Sequence, residues 1–269
     1  MGRSRGMVRL VAAVLACCLL ALLAGCAHEE ALVVSAKDMP PPEALYERLG
    51  ADPEPGKVLT GILQVTASLP GERHSVKIAA AARRPDSLRL EDLSVIGVPD
   101  FMLTVQGAEI RMFLPRSGEF LIGTESSDEI RRIFPPPVKP LDLVSLLYGL
   151  PPGIAGTKTL KGSVDGNRFR LDVYAGGAWA QTLWVDPVSG RMTRFETADR
   201  SGKTAYSVRF QDFTKAGSIE VPGRIEIETA APAVVRLSLR NPEPELVTQD
   251  DRDFFRLRPP EGVTPRRSR

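Results

Sequence analysis

The chain has 269 residues, 43% hydrophobic and 25% charged, with a formal net charge of +2. That is enough apolar content for a packed core, and too little net charge, with no basic stripe, for a disordered or nucleic-acid-binding chain. Three cysteines in this length exclude a disulfide scaffold.

The first 25 residues read as an export signal. Arg3, Arg5 and Arg9 precede an uncharged run from Leu10 to Ala24. The run is shorter than the about 20 apolar residues of a membrane span and fits the core of a signal peptide. Leu23-Ala24-Gly25-Cys26 then resembles the bacterial lipobox. That resemblance implies cleavage before Cys26 and lipidation of its sulfur, with acyl chains such as palmitate anchoring the protein to a membrane. Cys17 and Cys18 would leave with the signal. Cys26 would then stand alone, and no intramolecular disulfide, Cys-rich metal site or thiol nucleophile is expected. Ala27 follows, where inner-membrane lipoproteins of Gram-negative bacteria carry Asp. By the same resemblance the expected location is the outer membrane, facing the periplasm. Removing 25 of the 269 residues leaves 244, with 32 basic residues against 33 acidic.

Residues 26–56 are expected to form a lipidated tether with one short helix. The stretch "MPPPEALYERLGADPEPG" opens and closes on Pro and Gly around Ala44, Leu45, Arg48 and Leu49. From 57 to 263 the pattern predicts one β domain. Apolar residues alternate with polar ones through Leu59, Leu63, Val65, Ala67 and Leu69, then Val76, Ile78, Ala80 and Ala82. The same period continues through Leu88 and Leu90, Phe101, Leu103 and Val105, and Ile110, Met112 and Leu114. Pro70-Gly71, Pro85-Asp86, Gly107 and Gly118 punctuate the runs as turns.

Residues 125–150 interrupt this with two predicted helices. The first has Ser126 or Ser127 as N-cap and Ile130, Ile133 and Phe134 on one face. The second carries Leu141, Leu143, Val144, Leu146, Leu147 and Leu150, so it is apolar nearly all round and has to be covered. Strands then resume: Phe169, Leu171 and Val173; Trp179 and Leu183 on one face with Trp184 on the other; Tyr206, Val208 and Phe210. Ile219, Val221, Ile225 and Ile227, then Val235, Leu237 and Leu239, complete the set. The basic tail, 264–269, is expected to be disordered. The fold expected is mainly β: a single open, strongly curved antiparallel β-barrel of about 11–12 strands, with the 125–150 helical lid or plug in its mouth. Gly61, Ala80, Ala82 and Gly123 are read as small residues that permit the curvature.

Catalytic chemistry is sparse. The two histidines, His28 and His74, share no obvious partner, so neither a His-based triad nor a metal cluster is expected. There is no P-loop and no Gly-x-Ser-x-Gly, and acids such as those of "RIEIE" alternate with apolar residues as on a solvated sheet face. No enzyme activity, cofactor, metal or nucleic-acid partner is expected.

Three features resemble the lipoprotein-localisation (LolA/LolB-like) carrier and receptor superfamily. They are the order strands, helical insert, strands; the stretch "SLRLEDLSVIGVPDFMLTVQGAEIRMFLPRSGEFLIG" at 87–123; and "DFFRLRPPEGVTP" at 253–265. "PLDLVSLLYGLP" is similar to the receptor branch, and the lipobox places the chain on that side. The resemblance implies a half-barrel whose hydrophobic cavity takes acyl chains of lipoproteins beneath a helical lid. It also implies a periplasmic carrier as partner and a role in receiving or inserting lipoproteins at the outer membrane. Candidate lining residues are Leu63, Val65, Ile78, Leu103, Val105, Ile110, Met112, Leu146, Tyr148, Phe169, Leu171, Trp179 and Leu183; plain core packing is the other reading of each. In "IGVPDF", Ile96, Val98 and Phe101 stand where the receptor carries a membrane or cargo-transfer loop, or else form a turn folded into the core. Arg83 and Arg84 are assigned no cavity role. A structural or assembly lipoprotein with a packed, ligand-free barrel remains the alternative.

Overall fold

Alternation at period two becomes strand wherever one face is buried, and here one sheet takes almost all of it. The computed structural model describes residues 34–69, 71–93, 97–133, 138–229, 236–241, 243–249 and 253–268. Cys26, the rest of the signal region, Ile96, Phe134 and Val235 lie outside the described residues.

Among the described residues, fifteen strands form a single sheet. The first half supplies β1 (Val58–Leu69), β2 (Glu72–Arg83), β3 (Ser87–Asp92), β4 (Met102–Gln106), β5 (Glu109–Leu114) and β6 (Glu119–Gly123). The second supplies β7 (Lys158–Asp165), β8 (Arg168–Ala175), β9 (Ala178–Val185), β10 (Met192–Ala198), β11 (Thr204–Ala216) and β12 (Ile219–Thr229). Then follow β13 (Arg236–Arg240), β14 (Glu245–Val247) and β15 (Pro265–Arg267). Spatially the order is β15-β6-β5-β4-β3-β2-β1-β13-β12-β11-β10-β9-β8-β7, with β14 beside β1. The halves therefore join through β1 and β13, antiparallel from Gln64↔Arg240 to Ser68↔Arg236.

The expected barrel is not formed. The sheet is neither closed nor strongly curled, and its end strands, β15 and β7, do not pair with each other. Two of the small residues read as permitting curvature, Gly61 and Gly123, serve close approach. A β-carbon on Gly61 would overlap the Asn241 amide, and one on Gly123 would lie 2.7 Å from Ser127 Oγ. The carbonyl of Ala82 accepts a hydrogen bond from Tyr148.

The C-terminal segment crosses the outer face, and the 264–269 tail, expected to be disordered, is ordered through Ser268. Phe255 packs on Val58 and Ala81 in a second small core. Arg89 donates to Phe254 O at 2.7 Å, and Leu257 N donates to Thr104 Oγ1 at 3.2 Å. The segment ends as β15, parallel to β6, with Ser268 N donating to Ile122 O. Arg266 and Ser268 both bond Glu129, and these bonds hold its carboxyl down to about 2.

Three α-helices and a 3-10 turn at Ala36–Asp38 complete the described fold. In α1 (Pro42–Gly50), Pro42 occupies the first turn, where its missing N–H is harmless. Leu45 and Leu49, one turn apart, are buried in the main core. Arg84 reaches back to cap the helix end, donating to Gly50 O at 2.8 Å and Ala51 O at 2.6 Å. Helix α2 (Asp128–Ile133) follows Ser127, whose hydroxyl accepts from Thr124 N at 3.0 Å, and it buries Ile130. Helix α3 (Asp142–Leu147) is the apolar plug.

Candidate functional site

Inward-facing residues of both sheet halves meet α1, α2 and α3 in one continuous apolar cluster. Helix α3 lies at its centre, with Val144, Leu146 and Leu147 buried. Two turns of helix are marginal alone, and local and tertiary bonds hold this one. At its C-terminal end Gly149, at φ 72°, donates to Leu146 O and Leu150 donates to Ser145 O. This is the paired-bond glycine ending, and Pro151 and Pro152 prevent continuation.

Three side-chain tethers join this segment to the sheet. Tyr206 of β11 donates to Asp142 Oδ2 at 3.0 Å. Tyr148 donates to Ala82 O of β2 at 3.1 Å. Gln181 of β9 donates through Nε2 to Pro152 O at 3.0 Å. Burial raises the Asp142 carboxyl above its ordinary range, against the lowering effect of the Tyr206 bond. Burial likewise pushes Tyr148 up to about 12 and raises Tyr206 further, where the Asp142 charge adds to it.

Most predicted lining residues meet here. Leu63, Ile78, Leu103, Val105, Ile110, Met112, Leu146, Tyr148, Phe169, Leu171 and Leu183 are buried in the cluster, and Val65 packs half-buried against it. They are packed on one another with α3 in place, and Tyr148 is the one predicted residue that lines any of the three described pockets.

Trp179 does not belong to this face. Val173 pairs with Gln181 but Tyr174 pairs with Trp179, so β9 carries one extra residue there. This bulge turns Trp179 outward, where its Nε1 donates to Thr182 Oγ1 at 2.9 Å. Gln181 points inward instead, 2% exposed, with Oε1 lacking a hydrogen-bond partner among the described residues. No periodicity signals that exchange, so Gln181 escapes a reading from the sequence. Tyr206 and Asp142 escape for a different reason: they are 64 residues apart.

The 93–101 loop divides. Val98 is 49% exposed, whereas Phe101 packs against the core. Leu93 and Val76 are also exposed apolar residues at that end of the sheet, where Leu93 N donates to Lys77 O. Arg83 lies over the Phe255 ring at 4.8 Å, and Arg84 holds α1. His74 bonds Glu72 on an exposed strand end. No described helix is long and apolar enough to cross a membrane.

The site is thus one apolar face of an open, largely antiparallel sheet lying under a short helical insert. Solved structures place it more narrowly: the chain has the fold of the LolA superfamily. A LolA superfamily protein from Nitrosomonas europaea is 14% identical over 80% of this chain and 98% of its own, with a TM-score of 0.55. A putative outer membrane lipoprotein-sorting protein domain from Vibrio parahaemolyticus is 14% identical over 80% of this chain and 95% of its own, with a TM-score of 0.58. A DUF1329 family protein from Desulfovibrio piger is 12% identical over 81% and 98%, with a TM-score of 0.60. No family model matches the sequence, and no curated protein matches it. What is shared at this identity is the fold.

Proposed function

We propose that this protein is a lipid-anchored lipoprotein of the bacterial outer membrane, facing the periplasm, that binds acyl chains and receives or inserts lipoproteins there. It acts as a binding protein, not an enzyme. The observation that carries this reading is the apolar sheet face closed by a six-residue helix held by individual hydrogen bonds. An acyl chain can replace α3 on that face with little change in buried apolar area, and burial contributes about 25 cal/mol per Å² for either occupant. The fold shared with a lipoprotein-sorting domain supports the same reading. Cys26 supplies the anchor, and Val98, Val76 and Leu93 form an exposed apolar rim for transfer of cargo from a periplasmic carrier.

The close packing of Leu103, Val105, Ile110 and Met112 favours one other reading, a structural or assembly lipoprotein whose interior never opens. Lipid extraction from the purified Cys26→Ala chain separates the two. Copurified phospholipid or lipopeptide is expected. A preparation that carries no lipid and takes up none from vesicles would leave the structural reading. In cells, depletion is expected to strand other lipoproteins away from the outer membrane, and unchanged sorting would remove the receptor role.

A further inference from the structure

Beside α1, where the chain leaves α3, a pocket of 410 Å³ opens to solvent. It lies at the opposite end of the sheet from the 93–101 loop. Strand β2 runs from that loop, where Ile78 pairs with Asp92, to the α1 end, where Arg84 holds Gly50. Leu49, Leu150, Met192, Phe213 and Ile219 give it apolar walls beside Tyr148, and Ser189, Ser218 and Glu220 add polar groups to the lining.

Two arginines stand at the rim, in different states. Arg191 pairs with Glu220 and lies over the Phe213 ring at 5.1 Å, so its charge is already engaged. Arg48, exposed in the last turn of α1, makes no ion pair among the described residues. Its guanidinium lies against Gly190, where a β-carbon would sit 3.4 Å from Nη2. At φ 68° that hairpin position favours glycine, and the bare backbone lets the cation close over the hollow.

We propose that this pocket binds a single-chain amphiphile with an anionic head: the alkyl chain lies on the apolar walls and Arg48 takes the head. A planar guanidinium forms paired hydrogen bonds with carboxylate or phosphate. The volume sits near the low end of the about 300–1,000 Å³ usual for small-molecule pockets, which suits one chain rather than several. Such a head comes from a free fatty acid or from a single-chain phospholipid. The site does not depend on acyl chains entering beneath α3.

Calorimetric titration of the full chain with decanoate, decyl phosphate and decanol tests this. At least one anion is expected to bind at least about tenfold more tightly than decanol, the value of a charge-assisted hydrogen bond. Tighter binding of decanoate assigns the fatty acid, and tighter binding of decyl phosphate assigns the phospholipid. Arg48→Gln is expected to remove the advantage of the anion while leaving decanol binding and Tm in place. Exposed Arg200, in another hairpin, serves as the charge control. Equal binding of all three ligands overturns the proposal. So does an advantage that survives Arg48→Gln, or one lost equally in Arg200→Gln.

Discussion

Removing one hydroxyl should make the protein less stable and yet bind acyl chains more tightly. Tyr206 is 3% exposed, and its hydroxyl donates to Asp142 Oδ2 at 3.0 Å. The carboxylate's other described donor is Lys139 N, at 3.3 Å. Tyr206→Phe keeps the ring, with its edge-on contact to Phe195, and removes only the donor. A hydrogen bond to a charged group contributes about 1.5–3 kcal/mol. Because Asp142 regains water when α3 moves away, the loss falls on the closed position alone. A loss of about 2 kcal/mol shifts the balance of closed to open roughly thirtyfold. Apparent affinity scales with the competent fraction, so a fluorescent undecanoate probe should bind up to about thirtyfold more tightly. Calorimetry should show Tm falling by about 4–8 °C for a domain of this size. The titration is run in an Arg48→Gln background, which removes the anion preference of the pocket beside α1, and the gain is read as the difference between this background with and without Tyr206→Phe. A Tyr206→Phe chain with lowered Tm but unchanged or weaker probe binding would refute the idea that α3 and the ligand compete for one face.

The same clasp makes binding pH-dependent. Burial raises the Asp142 carboxyl above about 3.9, so the closed position holds the proton more tightly than the open one. Closure is therefore fully supported below the ordinary value and weakens as pH rises through the raised one. Tyr206, Lys139 and Glu125 are the groups that face this carboxyl. Probe affinity should rise with pH across that window and level off above it, and Asp142→Asn should flatten the profile. At the C-terminus the sign reverses. Hydrogen bonds hold Glu129 down to about 2, so its support for β15 is present above about 4.3 and is lost as pH falls through the lower value. Hydrogen exchange should show Ser268 N–H losing protection in Glu129→Gln at neutral pH and in the wild-type chain only in strong acid. Gly223→Ala should destabilise by about 1–3 kcal/mol in urea, because its β-carbon would sit 2.5 Å from Asp212 O, a backbone atom that cannot turn aside. Gly153→Ala, with open space around it, should be neutral within about 0.5 kcal/mol.

Strands whose period is unbroken were legible from their residues. Leu103 and Val105, Ile110 and Met112, and Phe169, Leu171 and Val173 are buried on the face that alternation assigns. Where a bulge adds a residue, the period misleads. Met192 and Phe195 both face inward although three apart, because the β9–β10 register shifts between Met192 and Arg194; β10 is invisible to a period of two. Strand β7 is an edge, with Gly162 pressed against Met39, so half its pattern is absent. The C-terminal crossing could not be read locally, because Phe254 O and Leu257 N find their partners more than 150 residues earlier. Phe255, within the 253–265 stretch, fills the second core, a role that no local pattern assigned. Asp142 is a lone acid at the start of an apolar helix, and only the fold shows that its neighbour is a tyrosine hydroxyl and not water.

The brevity of α3 assigns control to polar groups. An amphipathic helix of four or five turns would be held by its apolar stripe, and any ligand would have to compete with all of that area at once. Six residues bury little, and a ligand replaces what they bury with surface of the same kind. The three tethers are not replaced. When Asp142, Tyr148 and Pro152 leave the sheet, their partners on β11, β2 and β9 must find water or groups on the ligand. Gln181 is already one bond short, since its Oε1 has no donor among the described residues with the helix in place. A ligand carrying an N–H close to its acyl chain would satisfy that oxygen as well as the face around it. Gln181→Leu should therefore reduce discrimination between an N-acyl amide and a plain fatty acid while leaving affinity for the fatty acid itself unchanged or improved. Equal loss for both ligands would mean that Gln181 serves only to hold Pro152.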